Sequence, residues 1–162
     1  DLLRERLFFF FHNMQACETI FSDEISASNR NAHEVMVHGL DSNPKRLAQA
    51  EKNLLLSQVA DYCTLEQRER GLLSQTGMLY DAAVLDLISS AGDREHAHAV
   101  ATAGLESIST SLASESIIIL MLRNITSIAL PSIVAGCRKD DVFTVYYGDE
   151  PVFFSIWQKH NT

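Results

Sequence analysis

Apolar runs of strand length alternate along this chain with stretches in which apolar residues recur every three or four positions, and that alternation confines the fold more than any other feature. Residues 7–11 are a continuous apolar run that heads a first unit. Cys17, Ile20, Phe21 and Ile25 then fall on one side of a helix expected from 17 to about 27. Residues 35–40 read as a second strand ending at Asp41, after which Asn43 and Pro44 supply a helix cap and the proline favoured at the first helical position. The helix that starts there puts Leu47, Ala50 and Leu54 on one face and turns Lys45, Arg46, Gln49 and Lys52 to solvent.

The second half continues in the same way. Residues 62–65 form a short third strand, and 66–71 a loop or short surface helix. A buried strand over 82–85 runs into Asp86 and Leu87. The turn residues 89–93 then precede a long helix with a stripe of Ala97, Ala101, Leu105, Ile108 and Leu112. Residues 117–122 are apolar without alternation, the mark of a central strand covered on both faces. A shorter helical piece around Pro131 is expected within 125–137, and 142–147 and 152–157 flank a tight turn as an antiparallel hairpin. Strands alternating with helices predict an α/β fold, a mostly parallel sheet with helices on both faces and a C-terminal antiparallel hairpin.

The chain has 162 residues, 46% of them hydrophobic, and reads as one domain over 1–162. A chain of this size buries about 70% of its unfolded surface and needs no metal or disulfide staple. Cys17, Cys63 and Cys137 are odd in number, far apart and without a C-x-x-C pair, so they read as reduced core thiols. The balance of 13 Lys plus Arg against 21 Asp plus Glu gives a net charge of −8, a poor start for neutralising phosphates, and direct nucleic-acid binding is disfavoured. The longest apolar runs fall far short of the roughly 20 residues a membrane span needs. A soluble intracellular protein, of the cytoplasm or an organelle matrix, is the expectation. The start at Asp1 leaves room for a cleaved presequence.

The order of these segments resembles the class I, Rossmann-like S-adenosylmethionine-dependent methyltransferases over nearly the whole chain. His38-Gly39-Leu40-Asp41, followed by the helix from Pro44 through Leu54, is similar to that family's second strand, its acidic residue and the next helix. The resemblance implies that Asp41 accepts hydrogen bonds from the cofactor ribose. Residues 80–87 look like the fourth strand, whose end faces the methyl group and places Asp86 there, and 105–122 look like the helix and fifth strand. The closing hairpin is similar to the family's reversed last strand.

The first unit departs from that pattern. A cofactor loop needs glycines where backbone must approach a ligand closely. Aligned on Thr19, the chain has Phe10 at the usual acidic position and His12, Met14 and Ala16 at the glycine positions, and no glycine occurs before Gly39. The fourth strand ends in Asp86-Leu87-Ile88-Ser89, without the double proline of adenine or glutamine methylating members or the Pro-Cys of cytosine-5 enzymes. Against the 2′-O-methylating tetrad, Asp86 and Glu150 match two acids. Met121 or Leu122 falls where a lysine belongs, with Arg123 the nearest basic residue.

Other features have plainer readings. His96 and His98 lie two apart on a helix and point in different directions, so they make no metal site. Asp41 reads equally as a ribose acceptor and as turn and cap chemistry, and Asp86 reads as an acid inherited from the fold. Tyr146, Tyr147, Phe153, Phe154 and Trp157 gather aromatics on the C-terminal hairpin, half for the core and half as a surface for other protein subunits. The reading that follows is a non-catalytic methyltransferase-like domain, without a cofactor, serving as a structural or scaffolding subunit of a larger assembly. The alternatives are an active S-adenosylmethionine-dependent methyltransferase with a divergent loop, using Asp41 and Asp86, and a different Rossmann-type nucleotide binder.

Overall fold

A computed structural model describes residues 6–10, 36–67, 79–88 and 93–160, with the backbone alone for 6–10 and for Ile88. The helix expected over 17–27 and the positions His12, Met14 and Ala16 lie outside the described residues. Eight strands form one sheet: β1 (Arg6–Phe10), β2 (Met36–Asp41), β3 (Cys63–Gln67), β4 (Tyr80–Ile88), β5 (Leu112–Arg123), β6 (Ile133–Val134), β7 (Cys137–Tyr147) and β8 (Glu150–Lys159). Their order across the sheet is β3-β2-β1-β4-β5-β8-β7-β6. Among the described residues two α-helices accompany them, α1 (Pro44–Leu56) and α2 (Arg94–Ser109).

The sheet is mixed, which corrects the expectation of a mostly parallel one. The pairs β2–β3, β1–β2, β1–β4 and β4–β5 are parallel, whereas β5–β8, β7–β8 and β6–β7 are antiparallel. The reason is local. Ala135 and Gly136, with φ of 48° and 76°, have the two left-handed residues of a type I′ turn, and Gly148, at φ 63°, opens a second two-residue turn. Turns this short can only send the chain back antiparallel. The helical piece expected within 125–137 is also absent. Asn124 sits at φ 60°, Pro131 removes a donor, and Ile125, Leu130 and Val134 are buried from a largely extended segment that ends in β6.

The helices form where capping and periodicity place them. Asn43 caps α1 by accepting from the Lys45 N–H at 3.0 Å with Pro44 in the first turn, and Asp93 caps α2 by accepting from His96 N–H at 2.9 Å. Ala97, Ala101, Leu105 and Ile108 are fully buried along α2, while Leu112 belongs to β5. A Cβ on Gly104 would lie 3.0 Å from Leu87 Cδ1, so this glycine lets α2 settle closely on β4. Leu87 and Leu85 point to one face; α1 packs over Cys63 and Leu65 of β3, which register places on the other. Among the described residues one helix lies on each face, and Ile125 and Leu130 of the segment after β5 add to the core.

β5 is interior, as its continuous apolar run predicts, with Ile118, Leu120 and Leu122 fully buried. Its other face is less covered, and Ile117 is 49% exposed. Trp157 of β8 is fully buried, its Nε1–H donating to Ser155 Oγ at 2.8 Å. No helix among the described residues is long and apolar enough to cross a membrane.

Candidate functional site

In open α/β sheets ligands bind beyond the carboxyl ends of the strands, where the strand order reverses. Here that place is the end of β1, flanked by β2 and β4. Phe10, the last residue of β1, is level with Leu40 on one side and Leu85 on the other. Asp41 and Asp86 therefore stand one residue beyond it, level with each other and on the same face, about 10 Å apart across two strand spacings. The sequence thus brings both of its candidate acids to one crevice, and each is only 3% exposed.

Both carboxylates are already engaged. Arg46 donates to Asp41 through a two-pronged contact, Nε to Oδ2 and Nη2 to Oδ1, each at 2.7 Å, and the Asn43 N–H donates to Oδ1 at 2.7 Å. Arg123 grips Asp86 in the same manner, Nε to Oδ1 at 3.2 Å and Nη2 to Oδ2 at 2.8 Å. Planar guanidinium and carboxylate groups matched in this way make the strongest common side-chain hydrogen bonds. The hydrogen bonds to Asp41 hold the Arg46 guanidinium above its ordinary pKa against the opposing pull of burial, and the Asp41 and Asp86 charges add to the effect. Among the described residues, each of the two acids is thus matched by an arginine.

This corrects the reading of Arg46 as a solvent-facing residue of α1. It lies five residues after Asp41, and the tight Asp41–Asn43 turn brings the first turn of the helix back over the strand end. Arg123, at the end of β5, is level with Ile88. Its role has a sequence signal that is visible only afterwards: a basic residue closing an apolar strand beside one that ends near an acid.

The remaining candidates are dispersed. Glu150 is exposed at the start of β8, and Met121 and Leu122, where a lysine would be needed, are buried. Among the described residues no three His, Cys, Asp or Glu side chains gather to hold a metal. One polar contact was not foreseen. Buried His38 places Nδ1 at 2.6 Å from the Tyr80 hydroxyl and Nε2 at 3.4 Å from Glu66 Oε2. His38 alternates with Val37 and Gly39 as any strand residue would, so nothing local marks it.

Several solved structures share this arrangement. TrmN from Thermus thermophilus matches with a TM-score of 0.68 at 17% identity, over 97% of this chain and 45% of that one, so the chain spans less than half of TrmN. An RNA methyltransferase from Salinibacter ruber, solved with S-adenosyl-L-homocysteine, matches with a TM-score of 0.56 at 14% identity, over 98% of this chain and 82% of that one. The fold is that of the class I methyltransferases. The [4+2]-cyclase SpnF also has it, with a TM-score of 0.62 at 10% identity over 99% of this chain and 78% of that one, so the fold by itself does not specify methyl transfer. No protein-family model matches the sequence, and no curated protein is similar to it in sequence.

The fold's cofactor asks Asp41 for a carboxylate open to two ribose hydroxyls. Oδ1 already accepts two hydrogen bonds and Oδ2 one, which leaves a single acceptor site, so a ribose binding through both hydroxyls would compete with Arg46. The residues described do not fit that group.

Proposed function

We propose that this chain is a methyltransferase-like domain that transfers no methyl group and serves as a structural or scaffolding subunit of a larger protein assembly. The observation that carries this reading is the two-pronged hold of Arg46 on Asp41, which converts the cofactor's acceptor into a clamp between β2 and α1. The Asp86–Arg123 pair supports it, because both carboxylate oxygens are occupied by the guanidinium at that strand end. His12, Met14 and Ala16 in place of loop glycines point the same way. The acidic balance of the sequence favours protein over nucleic acid as partner, with the aromatic C-terminal hairpin as the contact surface.

A second reading, an active S-adenosylmethionine-dependent methyltransferase with a divergent loop, draws on the placement of Asp41 and Asp86 at the strand-order reversal. Titration calorimetry of the full chain with S-adenosylmethionine and S-adenosylhomocysteine separates the two. The scaffold reading expects no binding heat up to about 1 mM. Micromolar binding that Asp41→Asn abolishes while the fold is kept would establish the second reading instead.

A further inference from the structure

The open edge of the sheet is unusual. β7 is paired along its length with β8 on one side, but on the other, among the described residues, β6 covers it only at Cys137 and Arg138. The Lys139 N–H donates to Ser132 O at 2.8 Å, and there the main-chain pairing ends; farther along only the Thr144 side chain is held, its hydroxyl donating to Thr126 O at 2.6 Å. Which main-chain groups face outward beyond that point follows from the hairpin. With Gly148 and Asp149 as the two-residue turn, Tyr147 and Glu150 make the first hydrogen-bonded pair, so Val145 and Phe143 also bond to β8. Val142, Thr144 and Tyr146 then direct their N–H and C=O groups to the open side. Two observations agree: Pro151, which has no N–H, is level with Tyr146, and the Val142 N–H donates to its neighbour's Asp141 Oδ1 at 2.8 Å instead of to β8.

Natural edges are usually guarded by lysine, proline or a bulge. This one has a register shift and two acids at Lys139–Asp141, and then residues 142–147, Val-Phe-Thr-Val-Tyr-Tyr, with no charge and no proline. Val142 is 46% exposed, Phe143 43%, Tyr146 61% and Tyr147 57%. We propose that the occupant of this edge is a second copy of the chain, added antiparallel about a two-fold axis through Thr144. The proposal rests on the reading of the C-terminal hairpin as a protein-contact surface and is independent of the cofactor question.

Register decides for a second copy. Hydrogen-bonded pairing must match outward residues with outward residues, and an axis at Thr144 puts Val142 opposite the partner's Tyr146 and Phe143 opposite the partner's Val145. Those two kinds of pair each join an aromatic to a β-branched residue, a favourable cross-strand combination, and Thr144 meets its own copy on the axis. The same register sets Asp149 of each hairpin level with Lys139 of the other, beside an Arg138 already paired with Asp140 at 3.1 Å. Moving the axis to Tyr146 would instead set the uncharged run against the turn and lose these pairs. The new contact is isologous, as a closed dimer requires.

Sedimentation of the full chain from about 10 to about 200 µM tests this. The expected mass rises from the 18.1 kDa of one chain to twice that. Thr144→Pro removes an outward N–H without touching the β8 ladder, together with the Thr144 hydroxyl's bond to Thr126 O, and it should hold the chain as a monomer that still melts cooperatively. Val142→Lys should do the same. Register is read by a short bifunctional thiol reagent. Thr144→Cys should crosslink across the axis within about 6 Å, and Tyr146→Cys, about 14 Å from its counterpart, should not. A wild-type chain that stays at one chain's mass, or a Thr144→Pro variant that dimerises like the wild type, overturns the proposal. So does crosslinking that favours Tyr146→Cys, or an edge occupied only by a different protein. Cofactor binding has no bearing on any of these readouts.

Discussion

The crevice at the ends of β2 and β4 and the open edge of β7 are opposites in how their hydrogen-bonding capacity is used. In the crevice, where the fold's relatives would place chemistry, two buried acids are each matched to an arginine. At β7, where the fold has only a closing hairpin, a row of main-chain groups and apolar side chains is left over. Chemistry needs groups that are held but unsatisfied; assembly needs the same of a surface. Among the described residues, the open capacity lies along β7 and the matched pairs lie in the crevice.

The comparison breaks most easily at the crevice. Arg123→Met leaves Asp86 buried and unpaired, and chemical denaturation should register a loss of about 3 kcal/mol. Adding Asp86→Leu should restore most of it. If the single change is silent, the pair is ornamental and the contrast fails. On the edge strand, proline distinguishes the two sides of β7. Val145→Pro deletes a donor to β8 and should cost roughly 3 kcal/mol by the same measurement, against less than about 1 kcal/mol for Thr144→Pro. Equal losses would mean that the outward groups are not outward.

Cys63 sharpens the contrast from beside the crevice, in a 450 Å³ cleft between α1 and β3 that Leu47, Leu54 and Leu65 also line. Burial pushes its thiol up to about 11. Its alkylation at pH 8 should run on the order of a hundredfold slower than that of a free cysteine of ordinary pKa, followed by mass spectrometry of its peptide. The unfolded chain releases this proton at lower pH than the folded one. The thiol's stabilising contribution is therefore intact below about pH 8.5 and is lost as pH climbs toward the folded value. The smallest effect belongs to the other end of the sheet. Ala135 holds φ 48° in the β6–β7 turn, so Ala135→Gly should stabilise by about 0.5–1 kcal/mol in thermal melts.

What the sequence revealed was whatever depends on neighbours along the chain. Asn43 and Pro44 announce α1, the buried stripe of α2 follows its period, and the alternation around Gly148 announces the hairpin. Asp41 and Asp86 could be placed at strand ends for the same reason. Arg46 could not be assigned, because helical period alone turns it outward, and its partner is a strand end that only the folded turn brings underneath. The segment 125–137 misled in the reverse direction, its apolar spacing imitating a helix while the left-handed Asn124 and Pro131 interrupt it and most of it stays irregular. Ile117 shows the limit of reading burial from an apolar run: the strand is interior, yet one face of it stays partly open.

The position of β8 between β5 and β7 has a consequence for the order in which the protein can be made. A ribosome delivers β5 and then β7, two strands that do not touch, before the strand that joins them. Until Glu150–Lys159 emerges with Trp157, β5 has an open apolar flank and β7 has two. During that interval the apolar side chains that β8 will cover have no partner strand, the kind of exposed edge that invites misassembly.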